Sequence, residues 1–134
     1  MISMISRQLL FLLAALQCLV SLHAEQSLPA LAQIKAAAEG GDALAQSQLA
    51  DAYYYRWDYA RAGIWYGKAA NQGVPYAQYK LGYLYESGLK SWIPEAKDLP
   101  HIQKDYREAI RWYQIAANQN EASAQKDRVE LEAR

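Results

Sequence analysis

Chemistry in a protein needs an activated nucleophile, a positioned acid–base pair or a metal. Few side chains of this sequence could supply any of them. The two histidines are His23 and His101, and Cys18 is the one thiol. Ser87 with Lys90, and Ser123 with Lys126, each spell S-x-x-K. That is a nucleophile-and-base spacing, but the S-D-N and K-T-G segments that give it meaning are absent. No serine stands in G-x-S-x-G, no His, Asp and Glu share metal-ligand spacing, and no glycine-rich phosphate loop occurs. Asp58 and Asp105 recur at matching places, where an aspartate reads as a helix N-cap rather than as an acid. The expectation is a chain without catalysis, metal or cofactor.

Aromatic side chains offer binding instead. All 11 Tyr and all 4 Trp fall between Tyr53 and Tyr113. Tyr76, Tyr79 and Tyr83 are spaced i, i+3, i+7, a helical stripe opposite Ala77, Leu81 and Tyr85, and the earlier residues Leu44, Ser47 and Asp51 at equivalent places are mostly polar. Tyrosine combines a large apolar area with a hydrogen-bonding tip, which suits an interface. The segment Glu86–Lys104, ESGLKSWIPEAKDLPHIQK, brings Trp92, two prolines and His101 and reads as a docked loop rather than a flexible linker. Tyr76, Tyr79, Tyr83, Trp92 and His101 are the candidate partner-binding residues.

Repetition sets the elements that position them. IWYGKAANQG, Ile64 to Gly73, returns as RWYQIAANQN, Arg111 to Asn120, 47 residues on, and a fainter copy with Ala37-Ala38 and Gly41 lies 32 residues upstream. Ala62, Trp65, Tyr66, Ala69 and Ala70 occupy one helical face, and Ala109, Trp112, Tyr113, Ala116 and Ala117 reproduce it. After each glycine a second stripe follows, Ala45-Leu49-Tyr53 and then Ala77-Leu81-Tyr85. Six helices are expected, near 29–39, 42–56, 58–72, 75–87, 105–119 and 121–132, with a long loop over 86–104. Asp105 and Glu108 suggest a capping box. Gly73 suggests a helix stop, with Pro75 opening the next helix. Gly67 reads as merely tolerated, since Gln114 holds its equivalent place. The closing segment QKDRVELEAR reads as a polar cap on the stack, with Val129 and Leu131 open to a coiled-coil contact. Units of this kind bury their apolar faces only by stacking, so the fold class is an all-α solenoid of antiparallel helix pairs.

The alternation of A-x3-L-x3-Y helices with D-Y-x-x-A-x-x-W-Y-x-x-A-A-x-x-G helices resembles the Sel-one-like repeat family, kin of tetratricopeptide repeats, over about residues 36–124. Ala62, Trp65, Tyr66, Ala69, Ala70, Gly73, Ala77, Leu81 and Gly82 match its pattern, while Asn120 replaces the third glycine and Arg128 a leucine. The resemblance implies a right-handed solenoid that acts as an adaptor or scaffold.

The first 24 residues read as a secretory signal peptide, with Arg7, the apolar run Leu9–Leu16 and a small residue at Ala24. The run is too short for a comfortable membrane span. The mature domain would be 25–134, without cysteine and with one acidic charge in excess once Arg7 is removed. Such a balance gives no field for nucleic acid. The expected role is a protein or peptide adaptor in a bacterial cell envelope, periplasmic or secreted, with self-association through the open solenoid ends. A glycan- or peptidoglycan-binding module, in which Trp57, Trp92 and the tyrosines would stack on sugar rings, and a hydrolase are the alternatives.

Overall fold

The computed structural model describes the backbone of residues 2–91, 93–119 and 121–134, with side chains for 8–17 and from 30 onward within those ranges. Among the described residues six α-helices run in order: α1 Ile2–Glu39, α2 Ala43–Tyr54, α3 Tyr59–Asn71, α4 Pro75–Ser87, α5 Tyr106–Ala117 and α6 Ala122–Glu132, with one short 3-10 turn at Pro94–Ala96. No strand occurs among the described residues. The chain divides into Met1–Gln33 and Ile34–Arg134. In the first part Leu9–Leu13 and Leu16 are exposed on a helix, and no described helix is long and apolar enough to cross a membrane. The first helix begins at Ile2 rather than near 29, because the Leu- and Ala-rich leader is itself built of strong helix formers.

In the second part each helix packs on its neighbours in sequence, α2 on α3, α3 on α4, α4 on α5 and α5 on α6. That is the expected solenoid of hairpins. The small residues of the repeat are its floor: Ala62, Ala69, Ala70, Ala77, Ala109, Ala116 and Ala124 are all buried. Tyr66 and Tyr113, the tyrosines of the two Trp-Tyr pairs, are completely buried as well. Their hydroxyls remain satisfied, Tyr66 donating to Asp51 of α2 and Tyr113 donating to Glu86 of α4 at 2.8 Å. Tyr85 touches the clusters on both sides of it, and Trp65 does the same one repeat earlier. The three clusters are thereby joined along the stack.

The turns repeat as closely as the helices. At the end of α3, Val74 N–H donates to Ala69 C=O (3.2 Å) and Gly73 N–H to Ala70 C=O (3.0 Å), with Gly73 at φ 91°. This is a Schellman turn. Asp42 N–H to Ala37 C=O and Gly41 N–H to Ala38 C=O, both 3.1 Å, make the same turn after α1. Glu121 N–H to Ala116 C=O (3.2 Å) keeps its outer bond after α5; Asn120 itself lies outside the described residues. Just beyond each turn a glutamine reaches back to a helix-end carbonyl: Gln46 to Ala38 (3.1 Å), Gln78 to Ala70 (3.1 Å) and Gln125 to Ala117 (3.3 Å). Gln72 then donates to Gln46, and Gln119 to Gln78, both at 2.7 Å. The buried amides of Gln46 and Gln78 are thus paired with carbonyls, as burial of polar groups requires, and Gln125 makes the same bond at the surface.

Three sequence expectations change in detail. Asp105 does cap α5, accepting from Arg107 and Glu108 N–H, but the capping box is not closed. Asp105 N–H donates instead to Tyr85 C=O at 2.9 Å, which leaves Glu108 to pair with Arg111. The last helix is more than a polar end cap, since it buries Ala124 and Leu131 on α5. With Leu131 occupied there, a coiled-coil contact through Val129 and Leu131 is excluded.

Candidate functional site

The five candidate residues separate. Tyr76, Tyr79 and Tyr83 share α4, but Tyr79 turns inward: its ring lies 5.8 Å from that of Tyr113 at 30°, and it packs in the α5–α6 cluster. Burial and the neighbouring Asp127 push its hydroxyl up to about 12. Tyr76 is 37% exposed and donates to Asp51 at 3.0 Å. Tyr83 neighbours Tyr54 of α2, whose hydroxyl is pushed up to about 12 by burial and then by Tyr83 itself. Lys80 lies near both Tyr54 and Tyr76, its Nζ 4.5 Å from the centre of the first ring and 5.7 Å from that of the second. The accessible part of the stripe is therefore Tyr76, Lys80 and Tyr83, continued by Tyr54 of α2 and by Tyr55, which follows its last residue.

His101 lies elsewhere. It is exposed on the long loop and lines a groove of about 590 Å³ with Gly63, Gly67, Tyr85, Ile102 and Trp112. Trp92 lies outside the described residues. The loop docks along α3 rather than over the tyrosines. Ile102 abuts Gly63, where a β-carbon would stand 2.5 Å from Ile102 Cδ1, so the absence of a side chain there makes the seat. Ser91 Oγ accepts from Ala60 N–H at 2.8 Å, and the same hydroxyl stands 3.4 Å from Asp58 Oδ1. Asp58 is buried, caps α3 through Arg61 N–H (3.1 Å) and pairs with the Arg61 guanidinium. Both recurring aspartates are structural caps. A β-carbon at Gly67 would meet nothing within 4 Å, in keeping with a tolerated glycine.

One residue outside the candidate set stands out. Asp58 N–H donates to Tyr53 C=O (3.0 Å) and Trp57 N–H to Tyr54 C=O (2.9 Å), which is again the Schellman pattern. Here its left-handed position is held by Trp57, at φ 66°, whereas Gly41 and Gly73 hold it in the neighbouring turns. A bulky residue in that conformation costs about 1–2 kcal/mol that glycine avoids. Yet Trp57 is 64% exposed, and Tyr55 beside it 70%, so burial does not offset the strain. The sequence carries a signal for it: Trp57 precedes a cap aspartate in the run YYYRWDY, whose Tyr53 belongs to the packing stripe while Tyr55 and Trp57 fall outside it.

The tyrosine hydroxyls bonded to carboxylates respond to pH. Tyr66, Tyr113 and Tyr76 are all held above the ordinary tyrosine value of 10.0, by burial first and then by Asp51 or Glu86. The folded protein therefore holds these protons more tightly than the unfolded chain. Their contribution to stability is whole below pH 10 and declines as pH rises above it. Denaturation midpoints should stay level across pH 7–9 and fall steadily above 10. Tyr66→Phe should flatten that decline; an unchanged slope would detach the buried hydroxyl from it.

The Sel1 repeat family model matches residues 43–74 and 75–121, which are the hairpins α2–α3 and α4–α5. Among solved structures, a protective antigen present in uropathogenic Escherichia coli strains and displaying an SLR fold is 30% identical, with a TM-score of 0.64 over 75% of this chain and 20% of that one. A Sel1 repeat protein from Oxalobacter formigenes is 32% identical, with a TM-score of 0.57 over 69% of this chain and 35% of that one. The chain thus spans a fifth to about a third of these two relatives' length. No curated protein matches it.

Proposed function

Because the chain belongs to the Sel1 repeat family, we propose that it is a non-catalytic interaction module that binds a protein or peptide partner through the aromatic face of α2 and α4. The observation that carries this reading is Trp57, an exposed indole kept in a strained turn where glycine would fold at lower cost. Tyr55, two residues before it in the same turn, is exposed as well, and Tyr76, Lys80 and Tyr83 of α4 complete the proposed binding surface. Rigid aromatic anchors with polar tips suit a partner segment that offers apolar side chains and carbonyl acceptors. A cell-envelope address, periplasmic or secreted, rests on the leader pattern at residues 1–24, and cleavage after Ala24 would leave the face intact.

Trp57→Asn tests this in two directions. Asparagine tolerates the left-handed conformation, so the variant should gain about 0.5–1 kcal/mol in urea unfolding. Used as bait against envelope extract, with Tyr55→Ser added, it should retain at most about a tenth of the partner captured by the wild-type chain. A folded, stabilised variant that retains every partner would remove this face from the reading. The same indole suits stacking on a sugar ring. Titration with soluble peptidoglycan fragments to millimolar concentration, giving a shift that Trp57→Asn abolishes, would favour the glycan alternative.

A further inference from the structure

We infer that the groove between α3, Trp112 and the segment 100–104 is a binding site of its own, for an extended acidic peptide segment that sets one aliphatic side chain over Gly67 and pairs its backbone with residues 101–104. The floor of the groove is bare backbone. Gly63 and Gly67 lie one turn apart on α3, where the matching places of α5 carry Ile110 and Gln114, and a glycine inside a helix costs about 1 kcal/mol relative to alanine. The chain answers the first glycine itself: Ile102 reaches over Gly63 so closely that a β-carbon there would stand 2.5 Å from its Cδ1. It leaves the second open, since a β-carbon at Gly67 would meet nothing within 4 Å. Both glycines line one space of about 590 Å³, within the range of about 300–1,000 Å³ in which ligand pockets fall. The wall facing them is the long loop between α4 and α5, which the short turn between α2 and α3 does not provide. The groove therefore belongs to this loop rather than to the repeat.

Ile102 shows what fits: an aliphatic side chain carried on chain that is neither helix nor turn. The backbone of that stretch is also unengaged. Among the described residues, no backbone N–H or C=O of residues 101–104 bonds to another part of the chain, and the next tie is Asp105 N–H to Tyr85 C=O at 2.9 Å. A row of unmade donors and acceptors beside an apolar notch suits a partner segment that runs alongside and adds its own main-chain hydrogen bonds. Charge selects an acidic one. Lys104 borders the groove with its ammonium 4.9 Å from the centre of the Tyr106 ring, and Lys68, next to Gly67, holds its own 4.0 Å from the centre of the Trp65 ring. Among the described residues neither lysine forms an ion pair. Asp105 also lines the groove, but its carboxylate is engaged in capping α5. Carboxylates flanking the partner's aliphatic side chain would complement these two ammonium groups.

The probe is a fluorescein-labelled peptide of about nine residues, glutamate and serine around one central isoleucine, titrated with the full chain and read by fluorescence polarisation. It should bind saturably, and more weakly as salt is raised. Gly67→Leu, which fills the groove from its floor, should weaken binding at least about tenfold while the melting midpoint stays at or above that of the wild type. Reversing the two exposed lysines together, Lys68→Glu with Lys104→Glu, should do the same and decides the matter independently of any change at the glycine. On the probe's side, lysine for glutamate, serine for isoleucine, or N-methylation of alternate peptide bonds should each cost at least about tenfold. Trp57→Asn with Tyr55→Ser should leave the probe bound as before, which separates this site from the aromatic face. No saturable binding up to about 1 mM, affinity unchanged by the lysine reversal, by Gly67→Leu or by any of the three altered probes, or binding lost with Trp57→Asn and Tyr55→Ser would each overturn the inference.

Discussion

Tyr66→Ala should bring the repeat domain close to unfolding. The ring is completely buried at the junction of α2, α3 and α4, among Ala50, Ala62, Leu81 and Leu84, and it approaches Tyr54 at 6.5 Å in an edge-on arrangement. Truncating a fully buried aromatic ring costs about 3–5 kcal/mol through lost burial and the cavity left behind. Small domains are stable by only about 5–15 kcal/mol. At about 4–8 °C per kcal/mol, the melting midpoint should fall by at least about 12 °C. Tyr66→Phe keeps the ring and loses only the hydroxyl bond to Asp51; since Tyr76 still donates to that carboxylate, the cost should be about 1 kcal/mol. A loss for Tyr66→Ala no larger than for Tyr66→Phe would mean that the ring is not the keystone of the stack.

That keystone is readable in the sequence, and the reason is geometric. Trp-Tyr followed by Ala-Ala at helical spacing, stated twice, fixes which face of α3 and α5 turns inward, and small residues on that face require a neighbour to lie close. Helix ends are readable to within two residues wherever glycine, proline or aspartate marks them, as with Gly73, Pro75 and Asp105. The glutamine links are not. Gln46, Gln78 and Gln125 occupy one place in all three copies, but a polar residue beside an apolar stripe reads as surface. Only the helix-end carbonyls buried next to it show what it answers.

The binding face is half legible. A period of 3.6 places Tyr76, Tyr79 and Tyr83 on one side of α4, but it does not say that α5 and α6 lie over the middle of that side, and it is this packing that turns Tyr79 toward Tyr113. Likewise, composition marks 86–104 as docked, but not where. The seat is set by the bare backbone of Gly63 and by Ser91 bonding at the start of α3. The strain at Trp57 is hidden because a left-handed turn position normally announces itself by glycine, and here it carries the opposite residue. Strain is a property of φ, and a one-letter code shows φ only when the residue is the usual one.

Gly82→Ala should destabilise the protein, although alanine is the better helix former by about 1 kcal/mol. The added methyl would stand 2.7 Å from Tyr113 Cδ1 and 3.3 Å from the Ala109 carbonyl oxygen. The ring cannot retreat, being stacked on Tyr79 and tied to Glu86 through its hydroxyl. Overpacking a fixed core of this kind costs about 1–3 kcal/mol, so the propensity gain is outweighed. Gly67→Ala is the control: nothing lies within 4 Å of its added methyl, and it should gain about 0.5–1 kcal/mol. Urea midpoints should therefore move in opposite directions for the same chemical change. Size matching then predicts the coupled result. In a cycle of Gly82→Val and Tyr113→Ile, the double variant should be more stable than the sum of the single losses by at least about 1 kcal/mol. Additive losses would show that the glycine–tyrosine fit is not a matter of volume.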